Sequence, residues 1–360
     1  MLGVLGNWYK RKFSDPNALM LLLLILFSCA ILYLFGGILM PVLVALVIAY
    51  LLDVPVTKLE NAGIRRSLAT TFTLIVFLCV CFVTAIALIP IISKQSVNLI
   101  KEVPLIWESA QAWLATLPQK YPSVIEVGYI KSMMEGVNER VVSVGEQVLS
   151  ASFSSLGNIA AILIYIILVP LMVFFMLNDK GFFVASISKI LPKERVLITQ
   201  VGEEMNTQIA NYIRGKVIEI VIVGAVTSIA FSILDLRFAL LLGVLVGFSV
   251  LIPYIGAAVV TIPVAIVALF QFGFTAEFGY IMLVYFIIQA LDGNLLVPIL
   301  FSEAVSLHPL YIIIAVLLFG GLWGFWGVFF AIPLATLVKA LITAWSTPKL
   351  ANDTNDAQIA

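Results

Sequence analysis

The sequence predicts an all-α, polytopic helical membrane protein of about eight transmembrane segments, with broken or re-entrant helices in its C-terminal half. Of its 360 residues, 62% are hydrophobic and 11% are charged, against roughly 45–50% and 25% in soluble domains. The mean hydropathy is +1.14. Between Arg237 and Lys339 the chain has no lysine or arginine. This composition excludes an ordinary soluble protein, and the long apolar runs predict several spans.

Residues 1–92 are predicted to hold three spans. The apolar runs are 19–35, 38–52 and 68–92. A straight helix needs roughly 20 apolar residues to cross a core of about 30 Å, and these runs are near that length. We expect Gly36-Gly37 to form a tight hairpin between the first two runs and Asn61-Ala-Gly63 to form a turn.

Two polar regions follow, separated by a fourth span at 156–177 that contains Pro170. Residues 93–155 are too polar to span, and we predict helices outside the membrane or along its surface. In the region 178–215, apolar side chains recur every four residues, which is one face of a helix. They are Leu197, Val201, Met205, Ile209 and Ile213. We interpret this helix as cytoplasmic and packed on the bundle; a specific partner site is the alternative.

Basic residues set the predicted orientation, because they favour the cytoplasmic side. They lie in Lys10-Arg11-Lys12, in the loop 53–67, in the region 178–216 and near the C-terminus. Both termini are therefore predicted in the cytoplasm, with 93–155 outside and 346–360 as a flexible cytoplasmic tail. The first apolar run has no small-residue cleavage pattern, so we expect it to stay as an anchor.

The region 216–345 changes character, because its apolar pieces are short and interrupted by Gly and Pro. Such interruptions are typical of the discontinuous helices that form binding sites in transporters. Irregular backbone at membrane depth persists only where protein or water satisfies it. We therefore predict that 216–345 is the transport region.

Asp292 is the strongest candidate site residue, since a carboxylate in apolar membrane surroundings is costly. Gln289 lies three residues earlier, on the same face of a helix that reaches that far. Asn294 and Pro298 follow within six residues. We predict a polar substrate or ion site with Asp292 as acceptor or proton carrier; a structural cap near the interface is the alternative.

Other candidates each carry two interpretations. Pro253 and Gly256 break an apolar run, leaving carbonyls for a cation or polar solute, or they form a tight turn. His308 is a capping or packing residue, or part of a proton relay with Asp292. Lys216 and Glu219 are three apart and are expected to pair, with a coupling-ion role as the alternative.

Four glycines near the C-terminal end complete the candidates. They are Gly320, Gly321, Gly324 and Gly327. Small residues allow helices to approach closely, so we predict packing, with a hinge as the functional alternative.

Catalytic signatures are missing from the sequence: it has no zinc-protease motif, nucleophile elbow or phosphate-binding loop. Its cysteines, Cys29, Cys79 and Cys81, have no metal-type spacing. We therefore expect no enzyme activity, cofactor or metal. The net charge is zero, and nothing predicts a nucleic-acid partner.

Several motifs resemble the autoinducer-2 exporter family of bacterial membrane proteins. They are Ser249-Val-Leu-Ile-Pro-Tyr-Ile-Gly256, Gln289-Ala-Leu-Asp-Gly-Asn-Leu-Leu-Val-Pro298, Leu307-His308-Pro309-Leu310 and the glycines at 320–327. The resemblance covers nearly the whole chain. It implies an inner-membrane protein of about eight spans, a homo-oligomer and possible pentamer, with an elevator-like moving part. Many relatives carry Glu where this chain has Gln289. Family substrates range from a signalling molecule to sodium and protons.

The prediction for function is a secondary transporter or permease that exports a small polar solute, with membrane lipids as its surroundings. One alternative is a cation/proton antiporter that uses Asp292. An alternative of another class is a non-transporting scaffold that recruits partners through 178–215.

Overall fold

The computed structural model describes residues 16–120, 159–190, 196–301 and 307–346, and every regular element in them is a helix. The predicted all-α membrane fold is confirmed. In chain order the helices are α1 (Pro16–Asn61), α2 (Arg66–Lys120), α3 (Ile159–Asn178), α4 (Lys180–Ile190), α5 (Val196–Ile233), α6 (Ala239–Ser249), α7 (Ile255–Phe272), α8 (Ala276–Leu291), α9 (Val297–Phe301), α10 (Pro309–Phe329) and α11 (Ala331–Ser346). A π-helical turn, Asp292–Leu296, joins α8 to α9.

Six helices among the described residues are long and apolar enough to cross a membrane. The count rises to seven when α3 and α4, which meet at a bend of 77°, are taken together as one broken span. This is near the predicted eight.

Helix α1 is continuous over 46 residues, so the hairpin predicted at Gly36-Gly37 is wrong. A glycine inside a helix costs only about 1 kcal/mol relative to alanine. A side chain at either position would meet nothing within 4 Å, so no tertiary contact turns the chain there. The turn predicted at 61–63 is confirmed, with Gly63 at φ +94°.

Helix α2 runs for 55 residues, about 82 Å at 1.5 Å per residue. It therefore continues from the predicted third span through the first part of the region 93–155 without a break. The remainder of that region, 121–155, lies outside the described residues.

The first three helices share an apolar core. Its buried residues are Ala45, Ala49, Leu52 and Val56 of α1, Ala69 and Leu74 of α2, and Val169, Val173 and Leu177 of α3. At one end of this group, Arg66 Nε donates to the Leu177 carbonyl at 2.7 Å, and Lys180 pairs with Asp53 at 2.9 Å. The α1–α2 turn and the α3–α4 junction thus lie on the same side, as the predicted topology requires.

Helix α5 unites the predicted amphipathic helix with the fifth span in one element of 38 residues. The predicted apolar face is confirmed where its burial is described, since Val201, Met205 and Ile213 are buried. Helix α5 contacts α1, α6, α8, α9 and α11, and it is the central support of the C-terminal half.

Helices α6 and α7 form a hairpin whose two ends lie together. The backbone N–H of Arg237 donates to Gln271 Oε1 at 2.7 Å, and Gln271 Nε2 donates to the Asp235 carbonyl at 2.6 Å. Helix α6 has 11 residues, about 16 Å, which is half of a core of about 30 Å. The first hairpin is this antiparallel pair: its open ends lie together at Arg237 and Gln271, and the chain turns at 250–254.

Glycines bring α6 against α5. A Cβ on Gly243 would lie 2.0 Å from Ser228 Oγ, and one on Gly247 would lie 2.7 Å from the Ile220 carbonyl oxygen. Small residues permit such close backbone contact between membrane helices. The packing fixes the depth at which the first hairpin turns.

A second hairpin forms around Gly324, which has φ +58°. A Cβ on Gly327 would lie 1.8 Å from the Phe319 carbonyl oxygen, although residues eight apart in a straight helix are separated by about 12 Å. The chain therefore reverses at Gly324. The apolar stretch Pro309–Phe329 has the length of one span. It contains the first arm of an antiparallel pair, the reversal at Gly324 and the start of the second arm.

The tip of the first hairpin packs against the second hairpin beside α5. Leu251, at the first tip, packs in one cluster with Tyr212, Phe301 and Phe329. The neighbouring Ile252 packs against a second cluster that belongs to α10 and α11. The breaks predicted in the C-terminal half therefore converge in space.

At the open end of the first hairpin, side chains of α2 bond to Leu241 and Arg237. Gln95 Oε1 accepts from the backbone N–H of Leu241 at 2.9 Å, and Glu102 pairs with Arg237. Glu102 lies in the region 93–155, which was predicted outside the membrane, and this contact puts Arg237 on the same side.

Candidate functional site

A buried ion pair lies where α5 passes the first hairpin tip. Lys216 Nζ donates to Glu219 Oε2 at 2.7 Å, so the predicted pairing is confirmed. The two residues are only 4% and 2% exposed. Burying two charges costs more than their attraction usually returns, so stability alone explains this pair poorly.

Lys216 has two further neighbours. Its Nζ also donates to the Val250 carbonyl at 2.7 Å, just after the end of α6. It lies 5.4 Å from the centre of the Phe301 ring, within the range of cation–π attraction. Gly215 makes room for that ring, because a Cβ there would lie 2.5 Å from Phe301 Cε1.

Asp292 begins the π-helical turn between α8 and α9. The backbone N–H of Val297 donates to the Asp292 carbonyl, five residues back. Pro298 explains the widened turn, because proline has no N–H and its ring collides with the carbonyl four residues earlier. Such π-bulges are frequent at functional sites.

The Asp292 carboxylate is half-buried, and its Oδ1 is buried without a hydrogen-bond partner among the described residues. It interacts electrostatically with Lys216 and with Glu219. The turn that carries it contacts α5. Asp292 therefore lies in the same electrostatic environment as the buried pair but lacks a partner for one oxygen.

Gln289 and Asn294 are close to Asp292 in sequence but bond elsewhere. Gln289 Nε2 donates to the Tyr285 hydroxyl at 2.9 Å, and that hydroxyl donates to the Ala257 carbonyl at 3.0 Å. Asn294 is exposed, and its Nδ2 donates to the Ala290 carbonyl at 2.8 Å. Tyr285 thus joins α8 to α7 and Gln289 bonds to Tyr285 within α8, while Asn294 bonds to the end of the same helix.

Pro253 and Gly256 lie at the first hairpin tip. A Cβ on Gly256 would lie 1.8 Å from the Ser249 carbonyl oxygen, so the turn requires glycine. The carbonyls of Ile252 and Pro253 accept from backbone N–H groups at 2.8 Å and 2.7 Å. With Val250 bonded to Lys216, these three carbonyls already have donors.

His308 begins α10 and is exposed. Its Nδ1 accepts from the backbone N–H of Leu310 at 3.2 Å, which is the geometry of a helix cap. Its ring packs edge-on against Tyr311. The described contacts of His308 are local and include no bond to Asp292.

The four C-terminal glycines differ in their surroundings. Gly324 makes the reversal, and Gly327 admits the Phe319 carbonyl. A Cβ on Gly320 would lie 2.8 Å from Val328 Cγ2, whereas one on Gly321 would meet nothing within 4 Å.

Comparison with known proteins decides the family. The model of the AI-2E family transporters matches residues 21–347. The chain belongs to the AI-2E transporter family. It is 51% identical over 353 residues to PerM of Escherichia coli (strain K12), which is named as a permease; the match covers 98% of this chain and 100% of PerM. It is 28% identical over 312 residues to YueF of Bacillus subtilis (strain 168), named as a transport protein, covering 83% and 82% of the two chains.

The residues of this AI-2E transporter that the family model matches include both hairpins and the π-helical turn. The family resemblance noted in the sequence is therefore confirmed. It concerns the same stretches whose breaks converge beside α5.

Sequence reasoning missed two members of this environment in the AI-2E transporter. Phe301 was not singled out, and neither was Tyr212, whose buried hydroxyl donates to the Phe329 carbonyl at 2.8 Å. The signal for Tyr212 was available, because a polar tip on the predicted apolar helix face next to Ile213 needs an internal partner. Nothing in the sequence marks Phe301 apart from other apolar residues.

Proposed function

We propose that this AI-2E transporter is a secondary transporter of the bacterial inner membrane, not an enzyme, and that it exports a small polar solute. The observation that carries the proposal is the Asp292 Oδ1 atom, which is buried in a π-helical turn and has no hydrogen-bond partner in the part of the chain that the structure describes. A charged group kept unpaired at membrane depth is costly and is usually functional.

The setting of Asp292 supports a transport site. Irregular backbone from the first hairpin tip and the π-helical turn meets at α5, beside the second hairpin. Each of these breaks lies within apolar sequence, where unbroken helix is the cheaper structure. Asp292 would accept hydrogen bonds from the solute, with the exposed Asn294 next to it and the hairpins moving in an elevator-like manner.

Transport by purified protein in liposomes tests the proposal. Vesicles would be loaded with autoinducer-2, and its efflux followed with and without sodium and proton gradients. We expect efflux well above that of protein-free vesicles. Efflux equal to the protein-free rate, under every gradient and over a wider panel of small polar solutes, would overturn the proposal.

A cation/proton antiporter is the second candidate, favoured by the charges at the site. Lys216 is bonded to Glu219, so the negative charge of Asp292 has no dedicated counter-ion. A proton or sodium ion would supply the missing charge. Sodium-driven pH change inside vesicles that contain a pH-sensitive dye but no solute would favour this candidate over solute export.

A non-transporting scaffold remains the alternative of another class. It has no use for an unpaired carboxylate, while its proposed partner surface on α5 buries its apolar face within this chain. The liposome experiment separates it from both transport candidates.

We propose further that both termini are cytoplasmic, from the positions of the basic residues. In a background without Cys29, Cys79 and Cys81, cysteines introduced at positions 12 and 189 should label from the same side, and one at 120 from the opposite side. The continuous helix α1 instead implies that the N-terminus lies on the opposite side from the α1–α2 turn, because one straight helix crosses only once. Label at position 12 on the side of position 120 would settle that point in favour of α1.

A homo-oligomer is proposed from the family resemblance, and the pentamer that the resemblance implies is the stoichiometry proposed with it. Helices α1 and α2 present many exposed apolar side chains, among them Ile38, Phe72 and Phe82. Lipid covers such side chains as readily as a second copy, so the stoichiometry rests on the resemblance.

A further inference from the structure

Lys216 is bonded to both an acidic group and the first hairpin tip. Its ammonium carries three N–H donors, of which one goes to Glu219 and one to the Val250 carbonyl. Val250 follows the last residue of α6. The bond therefore ties the end of α6 nearest the hairpin tip to α5.

The charges around this bond do not balance. Lys216 contributes one positive charge, while Glu219 and Asp292 each contribute a negative charge when ionised. Glu219 is in direct contact with the ammonium, whereas Asp292 lies on the π-helical turn that contacts α5 and forms no ion pair with Lys216 among the described residues. Two carboxylates thus compete for one ammonium that also holds a backbone carbonyl.

We propose that Lys216 is a positioning residue that links the charge state of Asp292 to the position of the first hairpin tip. When a proton or a cation neutralises Asp292, the Lys216 ammonium bonds only to Glu219 and to the Val250 carbonyl, and the tip is held against α5. When Asp292 is ionised and empty, it draws the ammonium away from Val250, and the tip is loosened. This inference rests on the proposed role of Asp292 for its trigger.

The surroundings restrict where Lys216 can move. The Phe301 ring, admitted by Gly215, covers one side of the ammonium. Phe301 ends α9, nine residues beyond Asp292, so the π-helical turn and the cover of Lys216 belong to one segment. A shift of that segment would change both the distance from Lys216 to Asp292 and the contact between the Phe301 ring and the ammonium.

Hydrogen–deuterium exchange of the full-length protein in lipid nanodiscs tests this link without any solute. The readout is the exchange rate of backbone amides in peptides covering 249–256. Asp292→Asn, which mimics the neutralised carboxylate, should slow exchange at the tip by about tenfold, within the range that coupled contacting residues show. The α1–α2 turn serves as an internal control and should not change.

Removing the pair gives the opposite result. Lys216→Met combined with Glu219→Gln deletes both charges together, because removing one alone would leave the other buried and unpaired. We expect faster exchange at 249–256 by about tenfold. In this background Asp292→Asn should have no further effect, so the two changes should be strongly non-additive.

Additive effects, or an Asp292→Asn variant whose tip exchanges as fast as wild type, would overturn the proposal. Asp292→Asn leaves the pair intact, so it tests the link even where the double variant does not fold. The failure of this inference can also be distinguished from the failure of the proposed function. A coupled tip without any solute flux would contradict transport and keep the role of Lys216, and flux without coupling would do the reverse.

Discussion

Asp292→Asn is expected to abolish solute efflux, or to reduce it by at least about 100-fold, while the protein still folds. The substitution keeps the shape of the side chain and removes its charge. A centrally placed aspartate costs roughly 2.5–3.5 kcal/mol on insertion scales. Removing the charge should therefore leave thermal stability unchanged or slightly raised. Flux and thermal unfolding would be measured on the same preparation.

Asp235→Asn is the matched control for that experiment. It makes the same chemical change at the Arg237 end, where Asp235 has φ +52° and asparagine is well tolerated. Its flux should equal that of wild type. If Asp292→Asn instead kept its flux and lost stability, Asp292 would be a structural cap and the site assignment would fail.

Gly327→Ala is expected to be the most destabilising single methyl addition in the second hairpin. The new Cβ would lie 1.8 Å from the Phe319 carbonyl oxygen, and neither backbone can yield without opening the hairpin. We expect a loss of about 3 kcal/mol, the upper end of the usual cost of overpacking. Thermal unfolding in detergent, followed by size-exclusion chromatography, measures the change.

Gly321→Ala provides the comparison in the same hairpin, on the arm before the reversal. A Cβ there would meet nothing within 4 Å, and alanine is the better helix former by about 1 kcal/mol. Its unfolding temperature should be no lower than that of wild type. Equal unfolding temperatures for the two variants would contradict the chain reversal at Gly324.

The sequence predicted the helical class and the location of the breaks, because hydropathy and proline or glycine positions carry that information directly. It could not predict which elements the breaks bring together. The hydrogen bonds of Gln271 with Asp235 and Arg237 make α6 and α7 an antiparallel pair, and they join residues more than 30 apart. Tertiary contacts of that kind leave no periodic signal.

The failure at Gly36-Gly37 has the same origin. A pair of glycines permits a turn but does not require one, and the helix continues where no tertiary contact stabilises a bend. The reverse holds at Gly324, where the contact of Gly327 with Phe319 makes the turn favourable. Local propensity was similar at both sites, and the tertiary partner made the difference.

The candidate site was predictable in part. Asp292 stands out by composition alone, and the pairing of Lys216 with Glu219 follows from their spacing. The bond from Lys216 to Val250 was not predictable, since it depends on how deep α6 reaches before it turns. Gln289, predicted to share a face with Asp292, bonds to Tyr285 instead.

The two hairpins also change what a hydropathy profile means for this family. Each hairpin contributes two apolar peaks, yet the chain finishes it on the leaflet where it began, so its net displacement across the bilayer is nil. A profile that takes each hairpin as two full crossings and one that takes it as two partial crossings therefore assign the C-terminus to the same leaflet. Reporter fusions at the C-terminus are therefore blind to these hairpins, and only probes placed at the tips, near residues 253 and 324, can measure how deep they lie.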